Sequence, residues 1–155
     1  MAATDTWDDV LARLDWHLRN AGRTLKRPVV DVRLGEPSAI NTPMIAYWYD
    51  GDEEGQIIGN TLARANYTER VKVRWYWPVG DRAVPLAAEV EREIRKANRA
   101  TTRELYGDMT LGGSCAAVRF IEHSETAWIP DAWVRTLTLT LGIEMPDLDD
   151  IVVGD

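Results

Sequence analysis

The chain has 155 residues, of which 45% are hydrophobic and 28% charged; that is the size and balance of one folded domain and excludes an extended disordered chain. Its formal net charge of -7 repels nucleic-acid phosphates and anionic membranes at long range. The one cysteine, Cys115, excludes an internal disulfide and a four-cysteine zinc site, and no run approaches the roughly 20 apolar residues that span a bilayer.

The first predicted element is a helix. Trp7, Val10, Leu11, Leu14, Leu18 and Ala21 fall at helical spacing and make one apolar stripe. Asp5 or Thr6 caps its start, Asp8 and Asp9 sit where the helix dipole favours negative charge, and Gly22 marks its end. Before this helix the chain is acidic and lacks the basic and apolar regions of a signal peptide, so the expectation is a protein that is cytoplasmic or built in a cytoplasm.

Val29 to Leu34 reads as a strand, with Val30, Val32 and Leu34 on one face. Gly35, Pro37, Asn41 and Pro43 interrupt the pattern. Met44 to Tyr49 is a second strand, apolar or aromatic on both faces. Asp50-Gly51-Asp52-Glu53-Glu54-Gly55 reads as a turn or mobile loop, and Gln56 to Asn66 is ambiguous. From Tyr67 to Trp77 the alternation is strict. Tyr67, Val71, Val73, Trp75 and Trp77 share one face; Thr68, Arg70, Lys72, Arg74 and Tyr76 share the other. Such alternation predicts a half-buried antiparallel strand.

A long helix follows from about Val84 to Leu105, with Pro85 suited to its first turn. Arg92, Arg95, Lys96 and Arg99 on this helix form either a basic patch or, with Glu89, Glu91 and Glu93 interleaved, a solvated face. Ala116 to Glu122 is a further strand, and Thr126 to Ile129 extends it or forms a separate edge. In the last strand Leu137, Leu139, Leu141 and Ile143 alternate with Thr136, Thr138 and Thr140, which read as the outer face. The expectation is one domain over residues 1–146 and an acidic C-terminal tail over 147–155, either flexible or docked on a neighbour through Ile151 to Val153. The predicted fold is α+β: one mixed or antiparallel sheet of about five strands with two main helices, in the order α-β-β-β-α-β-β.

Motifs for chemistry are sparse. Asp15, His17, Glu122 and His123 hold a metal only if the fold brings them together, since a catalytic zinc needs about three convergent ligands. Ser38, Ser114 and Ser124 lie outside any Gly-x-Ser-x-Gly elbow, and Gly112-Gly113-Ser114 lacks the lysine of a phosphate loop. Cys115 has no local base to activate it and reads as a small buried residue. Asp8-Asp9, Glu53-Glu54 and Asp149-Asp150 lie where solvated charge is expected, whereas catalytic carboxylate pairs are separated in pKa by burial. The expectation is a protein without an active site, cofactor or bound metal.

The unusual feature is aromatic: seven tryptophans against one phenylalanine. Tryptophan and tyrosine anchor protein interfaces. Trp48, Tyr76, Trp128 and Trp133 are the candidate interface residues, together with the carboxylates Asp52, Glu53 and Glu54.

From about Trp7 to Met145 the layout resembles the tail terminator proteins of long-tailed phages, minor tail proteins that cap the finished tail tube. The resemblance is carried by the opening helix with Asp9-Val10-Leu11-Ala12-Arg13-Leu14, and by the strands Met44-Ile45-Ala46-Tyr47-Trp48 and Glu69-Arg70-Val71-Lys72-Val73-Arg74-Trp75. The long charged helix follows, then the closing strand Trp133-Val134-Arg135-Thr136-Leu137-Thr138-Leu139-Thr140. It implies a homo-oligomeric ring, usually a hexamer, at the tail–head junction of a virion assembled in the host cytoplasm. Its partners would be the tail tube protein and the head–tail connector, with DNA passing through unbound and no membrane involved. The alternatives are another head–tail neck or joining protein, or a small α+β ligand-binding domain or enzyme.

Overall fold

The computed structural model describes residues 6–57, 65–79 and 83–145. Helix α1 (Thr6–Arg23) is followed by strands β1 (Asp31–Leu34), β2 (Met44–Ile57) and β3 (Ala65–Pro78), then helix α2 (Ala83–Tyr106). Strands β4 (Ala117–Phe120), β5 (Glu125–Ile129) and β6 (Val134–Met145) complete the order, with a 3-10 turn at Pro130–Ala132. The α+β expectation holds, with six strands in place of five: Thr126 to Ile129 belongs to a strand of its own.

The strands form one mixed sheet in the order β1-β2-β3-β6, with β4 and β5 end to end along the far edge of β6. β1 and β2 are parallel, and the other pairs are antiparallel. Gly35, at φ +98, turns the chain back after β1, and its N–H donates to Tyr47 O at 2.8 Å. Only glycine takes that backbone angle without strain.

Register decides the two faces. Val71 lies opposite Leu141, Val73 opposite Leu139 and Trp75 opposite Leu137. Side chains alternate along a strand, so these residues share one face. Both helices cover it. Val10, Leu14, Leu18 and Ala21 of α1 are fully buried there, and Ile94, Ala97 and Leu105 of α2 are buried in the same cluster. Burying each large apolar side chain contributes about 1.5–3 kcal/mol, so this face carries most of the fold's stability. The interleaved residues, Lys72 opposite Thr140, Arg74 opposite Thr138 and Tyr76 opposite Thr136, point to the other face.

Gly22 sets how closely α1 meets the sheet. The Gly22 carbonyl accepts from Val29 N–H at 3.0 Å, and a Cβ at Gly22 would stand 2.0 Å from Val29 O. The glycine that the sequence marks as a helix stop is therefore also a contact point.

The main departure from expectation is at Asp50 to Gly55. The stretch is strand, paired through Asp52 with Glu69 and through Glu53 with Thr68. Register slips by one residue between Tyr49 and Asp52 and again between Glu53 and Gln56, the signature of β-bulges. Gly51, at φ +93, sits in the first. Glycine and carboxylates are depleted in strands because they pack poorly there. Pairing with the long β3 overrides that local preference by satisfying the backbone hydrogen bonds. Residues 147–155 and the 58–64 part of the ambiguous stretch lie outside the described residues.

Candidate functional site

The candidate interface residues separate into three groups. Trp128 and Trp133 are 43% and 50% exposed at the corner between β5 and β6. Arg135 organises this corner. It lies 5.4 Å from the Trp128 ring centroid, donates to Glu91 of α2 at 2.9 Å and donates to Thr126 at 3.1 Å. Trp133 holds φ +51, in the left-handed region that tryptophan rarely adopts. That angle closes the 3-10 turn and leaves the indole in solvent, while the Trp133 carbonyl accepts from Val79 N–H at 2.9 Å.

Trp48 and Tyr76 behave differently. Tyr76 is buried and packs with Met44, Ala46 and Val134; Trp48 is half-buried against the same cluster. Arg74 lies 5.2 Å from the Trp48 ring centroid and donates to Thr138 at 2.8 Å. Within one chain, Tyr76 is therefore a core residue of the face away from the helices, and burial pushes its hydroxyl pKa up. Asp52, Glu53 and Glu54 have their backbones in β2, and their side chains lie outside the described residues.

The possible metal constellation does not assemble. Asp15 accepts from Tyr47 at 2.8 Å and from Arg19 at 2.5 Å. Glu122 accepts from Arg70 at 2.8 Å, and His123 is exposed in the loop between β4 and β5. His17 is buried between the helices. Among the described residues, no three His, Cys, Asp or Glu side chains group in a way that holds a metal ion.

Among the described residues an extended polar arrangement surrounds His17, and sequence reasoning missed it. His17 Nδ1 is 2.8 Å from Glu104 Oε2, and His17 Nε2 is 2.8 Å from Asp108 Oδ2. An ionised carboxylate only accepts, so both contacts are satisfied when both ring nitrogens carry hydrogen. Asp108 also accepts from Arg13 Nε at 2.8 Å and from the Gly112 N–H at 2.9 Å. Burial works against its charge, but these hydrogen bonds prevail and hold the Asp108 carboxyl well below the usual carboxylate range. Trp16 flanks the site, 4.2 Å from the Arg13 guanidinium and edge-on to the His17 ring. The arrangement clasps α1 to the end of α2 and fixes the loop that follows. In that loop Leu111, at φ +48, is fully inserted into the core. One signal for it was available: His17 stands three residues after Leu14 and four before Ala21, on the buried stripe of α1. Its partners, 87 and 91 residues away, gave none.

Cys115 is buried, and its pKa is pushed up to about 11 by burial first and by the charges of Asp108 and Glu144 after it. That suppresses the thiolate a nucleophile requires. Ser114 Oγ donates to Leu111 O at 2.7 Å as part of the turn.

No protein-family model matches the chain, and no curated protein matches it. Solved structures similar to it include two at 13% sequence identity. One, whose name states no activity, is covered over 94% of its length by 89% of this chain, with a TM-score of 0.49. The other is a sheath/tube terminator of an extracellular contractile injection system, PVC, in its extended state. It aligns with 94% of this chain and 59% of its own, with a TM-score of 0.37.

Proposed function

We propose that this chain is a structural subunit of a phage-type tail, a terminator whose copies join head to tail into a ring. The ring ends polymerisation of the tail tube and meets the head connector, and DNA passes through it without specific binding. The order of elements, which resembles that of tail terminators, supplies the identity of the particle. The observation that carries the assembly is the presence of two unlike sheet edges. On one side β1 is an edge strand with Val30 just before it and Leu34 at its end, 67% and 62% exposed. On the other, β5 is solvent-facing along most of its length and carries Trp128 near its end, with Trp133 exposed just beyond the 3-10 turn that follows. Open edges invite pairing with another chain. A closed ring requires one patch to meet a different patch on the next copy, and unlike edges at opposite sides of one sheet meet that requirement.

The test is mass in solution by light scattering, followed by negative-stain imaging, alone and with the tail tube protein. The expected species is a closed ring with a central hole. The paired change Trp128→Ala and Trp133→Gly removes both indoles and relieves the left-handed strain at 133. It should leave the circular dichroism spectrum and melting temperature of the monomer intact and abolish the ring. Rings of normal abundance in that variant would remove β5 from the interface. A persistent monomer that binds a metabolite tightly would overturn the proposal.

A further inference from the structure

We infer that the acidic segment following Met145 docks in trans, into a basic-rimmed groove on a second copy of the chain. The inference rests on the reading of the protein as a self-assembling subunit and names the contact that links the copies.

The groove, of about 280 Å³, lies between the loop after α1, the end of β3 and the first half of α2. Its floor is apolar, formed by Val29, Trp77 and Val79 with Val90 beside them. Its rim carries Lys26, Arg27, Arg92 and Lys96 against two carboxylates, Glu89 and Glu93. Arg27 already pairs with Glu89 at 3.0 Å, and Lys96 approaches Glu93 at 4.0 Å. The rim is therefore net positive on a protein whose overall charge is -7, and the excess sits on Lys26 and Arg92. An anionic occupant with small apolar side chains fits both features.

Residues 146–155, Pro-Asp-Leu-Asp-Asp-Ile-Val-Val-Gly-Asp, have that chemistry. Asp147, Asp149 and Asp150 precede the apolar run Ile151-Val152-Val153. The carboxylates match the rim and the run matches the floor. Charge complementarity of this kind steers encounter and fixes register more than it adds affinity.

Reach decides between the chain's own groove and a neighbour's. Met145 lies opposite Tyr67 at one end of β3, and the groove is built on Trp77 and Pro78 at the other. Ten residues of strand separate these ends by roughly 30 Å at about 3.3 Å per residue. The apolar run Ile151 to Val153 lies six to eight residues beyond Met145 and extends at most about 21–28 Å from it. Only a fully stretched segment laid along the sheet would approach its own groove, so the occupant comes from another copy. A segment from one subunit entering a groove at the opposite end of the next is a heterologous contact, and repeating it propagates in one direction until it closes.

The test uses full chains carrying Cys115→Ala. One variant also carries Val152→Cys, the other Arg92→Cys, and the mixture is treated with a short bismaleimide. The expected product is a two-chain species at least tenfold more abundant in the mixture than with either variant alone. Lys26→Glu with Lys96→Glu on the groove copy should cut that yield at least tenfold, and Asp149→Lys with Asp150→Lys on the segment copy should restore it. Absence of the two-chain product, or a concentration-independent single-chain product when both cysteines share one chain, would overturn the inference. Rings that form without this cross-link refute the docked segment and leave the proposed function standing. Cross-linking without rings does the reverse.

Discussion

The two faces of the sheet are made from the same three strands and solve different problems. Toward the helices, β2, β3 and β6 present Ile45, Tyr47, Val71, Val73, Trp75, Leu137, Leu139 and Leu141, all buried. Away from them, the same strands present Met44, Ala46, Arg74, Tyr76, Thr136 and Thr138, and no described helix covers these. Yet Tyr76, Thr136 and Thr138 are buried too, at 3%, 3% and 7% exposure. Long side chains lie on this face: Trp48 packs against the cluster that holds Tyr76, and Arg74 reaches from the Trp48 ring to the Thr138 hydroxyl. One face is dry because elements pack on it; the other is closed by its own side chains. The first should fail through cavities, the second through lost hydrogen bonds.

The largest effect should come from Trp75→Ala on the helix face. Trp75 has no exposed surface and stacks on Trp77 with ring centroids 5.8 Å apart. The cavity should cost about 3–5 kcal/mol, read as a lower denaturation midpoint. A loss below about 1 kcal/mol would mean that the helix face is not the main core.

Next is His17→Ala, which leaves Glu104 and Asp108 without the ring between them. Both carboxylates are partly exposed, with side-chain accessibilities of 26% and 18%, so the cost should be about 2 kcal/mol, below that of breaking a fully buried pair. Hydrogen exchange should show α1 and the 107–116 loop opening together, while β3 and β6 stay protected.

Acid should act on the same clasp. Asp108 is held below its ordinary pKa, so the folded state keeps its charge where the unfolded state takes a proton. Its contribution is complete above about pH 4 and drains as the pH falls toward the depressed folded value. In denaturant titrations, wild type should lose stability over that range more steeply than Asp108→Asn. Parallel curves would remove Asp108 from the linkage.

The smallest effect should be on the other face. Thr138→Val keeps the shape and deletes the oxygen that accepts from Arg74. A cost of about 1 kcal/mol is expected for a half-buried donor left unpaired. A cost rivalling Trp75→Ala would erase the distinction between the faces.

Much of this was legible in local pattern. The strict alternation of β3 and the 3.6-residue stripe of α1 need only their own residues to be read, because each records which side of an element is dry. The Asp50 to Gly55 stretch misled because its glycines and carboxylates describe a turn, and the pairing that makes it strand comes from Thr68 and Glu69. Thr136, Thr138 and Thr140 read as the outer face because β-branched residues suit a pleated sheet; they do lie on the face away from the helices, and they are buried there opposite Tyr76, Arg74 and Lys72. Tyr76 read as a contact for another subunit, and Val134 and Met44 cover it. Trp128 and Trp133 remained exposed, since nothing described packs beyond the β5 edge.

The sequence by itself determined the class of fold, the identity and order of its long elements, and which residues of β3 and β6 face the helices. Period and burial are properties of a single strand or helix. Only the tertiary structure decided that β1 pairs in parallel with β2, that His17 meets two carboxylates about ninety residues away, and that a groove with a net basic rim forms from separate segments of an acidic chain. Each of these depends on distances between residues far apart in sequence, and no local pattern of side chains encodes such a distance.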